Sequence, residues 1–299
     1  STEGYWYRVG QQEEIGPFTV QQEKEPGFTE KLAAQLGSSV DAIQAARHER
    51  VLRPMTLDDV AEILDTTIRH DYGAKLILFL ANLLTFTNED QVNILMAGEA
   101  AGGKSYLAIQ IAGYFPDDVQ MLIGTSSPAA FIHDVGRWDE ERKVVRIDLR
   151  QKIIILADQP HYMLLQKLRA LLSHDVRELL FKITDKTKSG QHRNKNVLIV
   201  GFPTFIFCSA KLNLEEQELT RVFILSPETN QEKIDESLRL LAAKVGNRDA
   251  FRQWVDNHPE RKLLKDRIQA IRNQMIREAI IQDQEGIYKR FLSQHPRLA

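Results

Sequence analysis

Cysteine is nearly missing from this chain: Cys208 is the only one in 299 residues. A single thiol excludes an internal disulfide and a cysteine-built zinc cluster, and it points to a reducing, cytoplasmic setting with Cys208 as a buried apolar residue. Long hydrophobic runs are also missing, since none approaches the roughly 18 residues of a membrane span, and Ser1-Thr2-Glu3-Gly4 does not read as a signal peptide. No membrane partner is expected. Charge of one sign is not in excess either, with 39 Lys and Arg against 41 Asp and Glu. Any nucleic-acid contact must therefore come from a local patch and not from a global basic field. Internal repeats and low-complexity tracts are lacking. The start without methionine, and the end at Leu298-Ala299 after the polar Ser293-Gln294-His295-Pro296, suggest an excised fragment.

What is present centres on Gly98-Glu99-Ala100-Ala101-Gly102-Gly103-Lys104-Ser105, which follows the apolar stretch Val92 to Ala97 and leads into the helix-like Tyr106 to Ile111. This reads as a P-loop. Small residues let successive backbone N–H groups wrap a triphosphate, Lys104 supplies a cation for the β- and γ-phosphates, Ser105 offers a hydroxyl to Mg²⁺, and the helix N-terminus adds its dipole. ATP and Mg are the cofactors this implies, with all eight residues from Gly98 to Ser105 at the nucleotide.

A P-loop needs an acid delivered by a neighbouring apolar strand to hold the water shell of Mg²⁺, and Ile153-Ile154-Ile155-Leu156-Ala157-Asp158 fits. The next residue, Gln159, stands where many such ATPases carry a glutamate that activates water. Glutamine cannot accept a proton near neutral pH. Either Glu99 or another group is the base, hydrolysis is slow, or Gln159 replaces a natural glutamate. Phe205-Ile206-Phe207-Cys208 ends in Ser209, a polar side chain placed to touch the γ-phosphate or the attacking water. Arg221 precedes the apolar Val222-Phe223-Ile224-Leu225, where ring ATPases carry an arginine finger that completes a neighbouring subunit's site.

Around this core, residues 1–53 form an N-terminal region, and its segment 29–46 reads as helix, turn and helix. That pattern fits either a helix-turn-helix unit or a small structural hairpin. Residues 54–228 form the core, with helices predicted from Thr56 and over Tyr72 to Leu84, and uninterrupted apolar strands that imply a parallel α/β sheet covered on both faces. Residues 229–299 read as helices at Asn230 to Lys244, Arg248 to Asn257 and Glu260 to about Gln284, forming a lid or linker that ends prematurely if the fragment is truncated.

On Gly98 to Ser105, Asp158, Ser209 and Leu219-Thr220-Arg221-Val222-Phe223, residues 56–228 resemble the AAA+ ATPases. Within them the chain is similar to the replicative-helicase clade that includes the minichromosome-maintenance proteins and the superfamily-three viral helicases. Leu164 to Asp175 also resembles the helix after the acid-bearing strand in helicase-like proteins of mobile elements. The resemblance implies an ATP-hydrolysing DNA helicase that serves the replication of a mobile element or phage. Its chains would form a homo-oligomeric ring, hexameric by family habit, around single-stranded DNA. The alternative is a nucleotide switch, a loader or regulator that hydrolyses ATP slowly; an interaction domain with a vestigial site is a third reading. Two departures from the family are Gln159 and a sensor-two arginine for which only Arg297 is a candidate.

The clade's mark is a β-hairpin inserted before the sensor-one strand. Leu179 to Lys186, a polar tip at 187–195 and the return run Val197 to Val200 read as that hairpin. Lys182, Lys186, Lys188, His192, Arg193 and Lys195 form its basic patch, suited to phosphates without sequence readout. The region Ser126 to Arg150, with Trp138 and Lys143 to Ile147, reads as a second pore element.

Overall fold

The computed structural model of the chain describes residues 4–7, 14–18, 54–99, 102–124, 136–157, 171–174, 176–186, 192–209 and 221–274, with 41, 51, 169, 285, 286 and 289 as isolated positions. Most of the segment 29–46, residues 187–191 of the hairpin tip, Asp158 and Gln159, Leu164 to Leu168 and Arg297 lie outside the described residues, while 192–195 of that tip belong to a strand. Among the described residues no helix is long and apolar enough to cross a membrane.

A short antiparallel pair, β1 (Gly4–Tyr7) and β2 (Glu14–Phe18), stands in the N-terminal region. Helix α1 (Leu57–Asp65) starts where the sequence signals it. The Thr56 hydroxyl accepts from the Asp59 amide at 3.1 Å while the Asp59 carboxylate accepts from the Thr56 amide at 2.7 Å. This reciprocal cap satisfies two donors that a helix start leaves open. Helix α2 (Tyr72–Leu84) occupies the predicted span.

Five strands then build one parallel sheet: β3 (Ile94–Met96), β4 (Gln120–Ile123), β7 (Ile153–Leu156), β10 (Thr204–Cys208) and β11 (Phe223–Leu225), in the spatial order β11-β3-β10-β7-β4. Side chains alternate between two cores with the strand period of two. Ile94, Met96, Ile153, Ile155, Ile206 and Cys208 pack against α1, α2 and α3 (Lys104–Ala112), together with Leu264 and Ile268 of α6 (Pro259–Asn273). Leu95, Ile154, Leu156, Phe205 and Phe207 face the other way. Burial on both faces explains why these strands read as continuous apolar runs.

The second face is covered by a four-stranded sheet. Strands β5 (Arg137–Asp139), β6 (Val144–Asp148), β8 (Glu178–Lys186) and β9 (His192–Val200) lie in the order β5-β6-β9-β8, with β6 and β9 parallel and the other pairs antiparallel. Val145, Ile147, Val197 and Ile199 of this sheet join Phe205 and Phe207 in the second core. The β8–β9 hairpin is thus packed into the body of the fold at its base. It is half of a sheet whose other half is the element expected between Ser126 and Arg150. The chain passes from β9 into β10 through Gly201 at φ +84°, where a Cβ would stand 2.2 Å from Arg150 Cγ; only glycine permits that approach.

Beyond β11 come α4 (Gln231–Gly246) and α5 (Arg248–Asn257), which are largely exposed, and then α6. The three helices expected beyond residue 229 are present, but α6 is not exposed as α4 and α5 are. The guanidinium of Arg261, buried in α6, donates to Thr66 Oγ1 at 2.8 Å and Thr67 Oγ1 at 3.2 Å, and lies 4.3 Å over the Tyr114 ring. Arg272 forms a two-pronged pair with Asp118 at 2.9 and 2.6 Å, which holds the Asp118 carboxyl below its ordinary range. These contacts fasten α6 to α1 and to the segment after α3.

Candidate nucleotide site

The loop from β3 to α3 forms at the carboxyl ends of the parallel strands, the rim where open α/β sheets hold ligands. Ala97 donates to the Leu225 carbonyl at 2.8 Å, so the last residue of the β3 run is still tied to β11. The chain then turns through Gly98 at φ +138° and Gly103 at φ +84°, backbone conformations that side chains with a Cβ rarely adopt. Gly103 is the N-cap of α3, whose first residues are Lys104 and Ser105. Ala100 and Ala101 lie outside the described residues. The side chain of Glu99 is exposed while its carbonyl accepts from Gly102 at 3.3 Å.

Lys104 is buried, and its ammonium donates to the Gly98 carbonyl at 3.0 Å and to the Glu99 carbonyl. Both contacts come from the loop itself, so the charge is held inside the curve of the loop at the start of a helix. The Ser105 hydroxyl lies 3.4 Å from the Ala157 carbonyl at the end of β7. Asp158 is the next residue in the chain. Ser105 also hydrogen-bonds the Cys208 thiol, which together with the nearby Lys104 charge opposes the burial that pushes the thiol's pKa up. Ser209 is buried and its amide donates to the Met96 carbonyl at 3.0 Å. Thus Lys104, Ser105, Ser209 and the chain entering Asp158 meet at one rim of the sheet, although they come from three strands in the order β3-β10-β7.

Arg221 does not join them. It lies two residues before β11, and its carbonyl accepts from Asn93 Nδ2 at 3.4 Å at the amino end of β3. Its backbone therefore lies at the end of the sheet opposite the loop at 98–105. Of the basic hairpin positions, Lys182 is exposed. Lys186 pairs with His192, Asp185 with Arg193 and Ile183 with Lys195 in the antiparallel register, so five of the six positions fall on the hairpin strands; Lys188 lies outside the described residues.

Two features went unread in the sequence. Asn93, 4% exposed, donates to the Leu172 carbonyl at 3.0 Å, accepts from the Phe205 amide at 3.2 Å with its side chain and from the Phe223 amide at 2.8 Å with its carbonyl. It stitches the amino ends of three strands together, and its one signal was a polar residue inside an apolar run. Asp71, 3% exposed, accepts from the Glu228 amide at 2.6 Å and pairs with Lys233 Nζ at 2.6 Å, while Lys233 also donates to the Glu228 carbonyl at 2.9 Å. This buried pair joins the start of α2 to the first turn of α4, beside Pro227, which is 3.9 Å from where a Cβ on Gly98 would stand. Neither protein-family models nor curated proteins give a match to the chain.

Proposed function

We propose that this chain is an AAA+ ATPase motor of the replicative-helicase kind, hydrolysing ATP to move single-stranded DNA through a ring of its own copies. One observation carries the reading: the Ser105 hydroxyl, first turn of the helix after a glycine loop, touches the carbonyl that precedes Asp158. A glycine loop alone is a turn. A glycine loop whose lysine is buried and whose hydroxyl meets the end of a second parallel strand has the parts of a phosphate and Mg²⁺ site.

In this reading the amides of 98–105 and the α3 N-terminus hold the phosphates, with Lys104 neutralising their charge. Ser105 and Asp158 would hold Mg²⁺, which when bound neutralises charge on the transferred phosphoryl group. Ser209 orients the attacking water from the end of β10. Arg221, at the opposite end of the sheet from its own P-loop, is suited to a neighbour's site and not to its own. The β8–β9 hairpin supplies cations to DNA.

Gln159 favours a second reading, a slow switch, because an amide cannot take the proton of the attacking water. ATP turnover with and without single-stranded DNA tests both. The motor expects DNA to raise turnover severalfold, and the switch expects slow turnover indifferent to DNA. A chain that binds no ATP with Mg²⁺ present would overturn both.

A further inference from the structure

Three ligand-type side chains converge away from the P-loop chemistry, across the joint between core and lid. The His70 imidazole and the Glu232 and Glu236 carboxylates each place a ligand atom within 4.8 Å of the others. We propose that they form a binding site for a divalent metal ion of the Zn²⁺ class, distinct from the Mg²⁺ that accompanies nucleotide.

The fold builds this cluster from both sides. His70 and Asp71 are held at φ 57° and 55° between α1 and α2, and the Asp71–Lys233 pair fixes the first turn of α4 against that bend. Glu232 and Glu236 are four residues apart on α4, so they share the helix face that the bend meets. Lys233 is committed to Asp71, which leaves Glu228, Glu232 and Glu236 around one imidazole, an excess of negative charge that a dication would balance.

The histidine itself carries the second line of argument. Its Nε2 is shut off from solvent and makes no hydrogen bond, and it lies 3.6 Å from the Glu236 carboxylate. Its Nδ1 faces the Glu228 carboxylate at 4.0 Å, and Asn230 Nδ2 holds that carboxylate at 3.0 Å. A metal-bound histidine typically gives its second N–H to such a carboxylate, which sets the tautomer and leaves the other nitrogen for the ion. Zn²⁺ bonds of about 2.0–2.2 Å bring ligand atoms roughly 3.4 Å apart. The His70 Nε2 and the Glu236 carboxylate, at 3.6 Å, already stand close to that spacing. An imidazole with two carboxylates suits Zn²⁺ and its neighbours, whereas Mg²⁺ and Ca²⁺ prefer all-oxygen shells. The ion would tie the 66–71 segment to α4 and so set the lid beside the P-loop.

The test uses the full chain, stripped with EDTA and titrated with Zn²⁺ in chelator-buffered solution without nucleotide, so its outcome is independent of the ATPase reading. One Zn²⁺ per chain is expected, with a rise in melting temperature, and Co²⁺ should give the visible absorption of a four-coordinate site. His70→Asn keeps a residue that tolerates positive φ and removes the ligand; it should abolish the Co²⁺ spectrum. Glu228→Gln should weaken Zn²⁺ about tenfold. Should His70→Asn melt early in EDTA, the double variant Glu232→Gln/Glu236→Gln carries the same test from the lid side. A parent chain that binds no Zn²⁺, or variants folded in EDTA that bind it as the parent does, would overturn the site.

Discussion

In the five-stranded sheet, β3, β7 and β10 bury every side chain, whereas in the four-stranded sheet β9 is buried over 197–200 while β8 leaves Glu178, Leu180 and Lys182 exposed. The first sheet has no exposed side chain on these strands, so a ligand could meet it only at the rim where the strands end. The second sheet uses one face to cover the first and extends past it in a long hairpin. A substitution at the rim should therefore change ATP chemistry and spare DNA, and one in the hairpin should do the reverse. Each experiment below attacks that division.

Lys104→Ala should have the largest effect. In the proposed site the ammonium would make charge-assisted bonds to phosphate worth roughly 1.5–3 kcal/mol, so ATP affinity should fall by about one to two orders of magnitude and hydrolysis should become undetectable, as read by nucleotide titration and phosphate release. DNA binding without nucleotide should persist. Parental affinity and turnover would show that the loop is only a turn.

Arg221→Ala should lower turnover by about a thousandfold with nucleotide affinity nearly unchanged, because the arginine sits at the far end of the sheet from its own loop. Mixing sharpens this. Arg221→Ala and Lys104→Ala chains should together recover some activity at interfaces where one gives a sound P-loop and the other a sound arginine. Mixed rings, shown by sizing, with no recovery would count against action in trans.

Gln159→Glu should raise turnover by about a hundredfold without changing ATP affinity. Equal or lower turnover would assign the base elsewhere, and Glu99, exposed within the loop, is the next residue to substitute.

Much of the fold around the glycine loop was legible in the sequence, because it is written in local patterns. The bounds of α2 and β10 follow from apolar runs and turn signals, and the glycine loop lies between the strand and helix that its spacing demands. Strand partnership was not legible. The parallel pairing of Val145 with Val197 joins residues far apart in the chain, and no periodicity within either segment names the other. Charged residues show the same limit. Arg261 and Lys233 are buried, because their polar partners Thr66, Thr67 and Asp71 come from a segment well over a hundred residues earlier. Patterning reports which faces are apolar; it does not report which hydroxyl or carboxylate will arrive to satisfy a buried cation.

The hairpin gives the smallest and most graded effect. Replacing Lys186, Lys188, Arg193 and Lys195 by alanine should weaken single-stranded DNA binding with little preference among sequences, since phosphates and not bases are the expected partners. With each cation removed from a phosphate, fewer counterions leave the DNA on binding, and the log–log salt dependence should flatten by roughly 0.7. Measuring affinity across a salt series separates this from a folding defect, which would lower affinity without a stepwise change in slope. ATP affinity should be parental, because the substituted strands belong to the sheet that carries no part of the glycine loop at 98–105. An unchanged slope would move the DNA surface off the hairpin, to the β5–β6 half of the same sheet or to the N-terminal region. Lost ATP affinity with intact DNA binding would break the division between the two sheets.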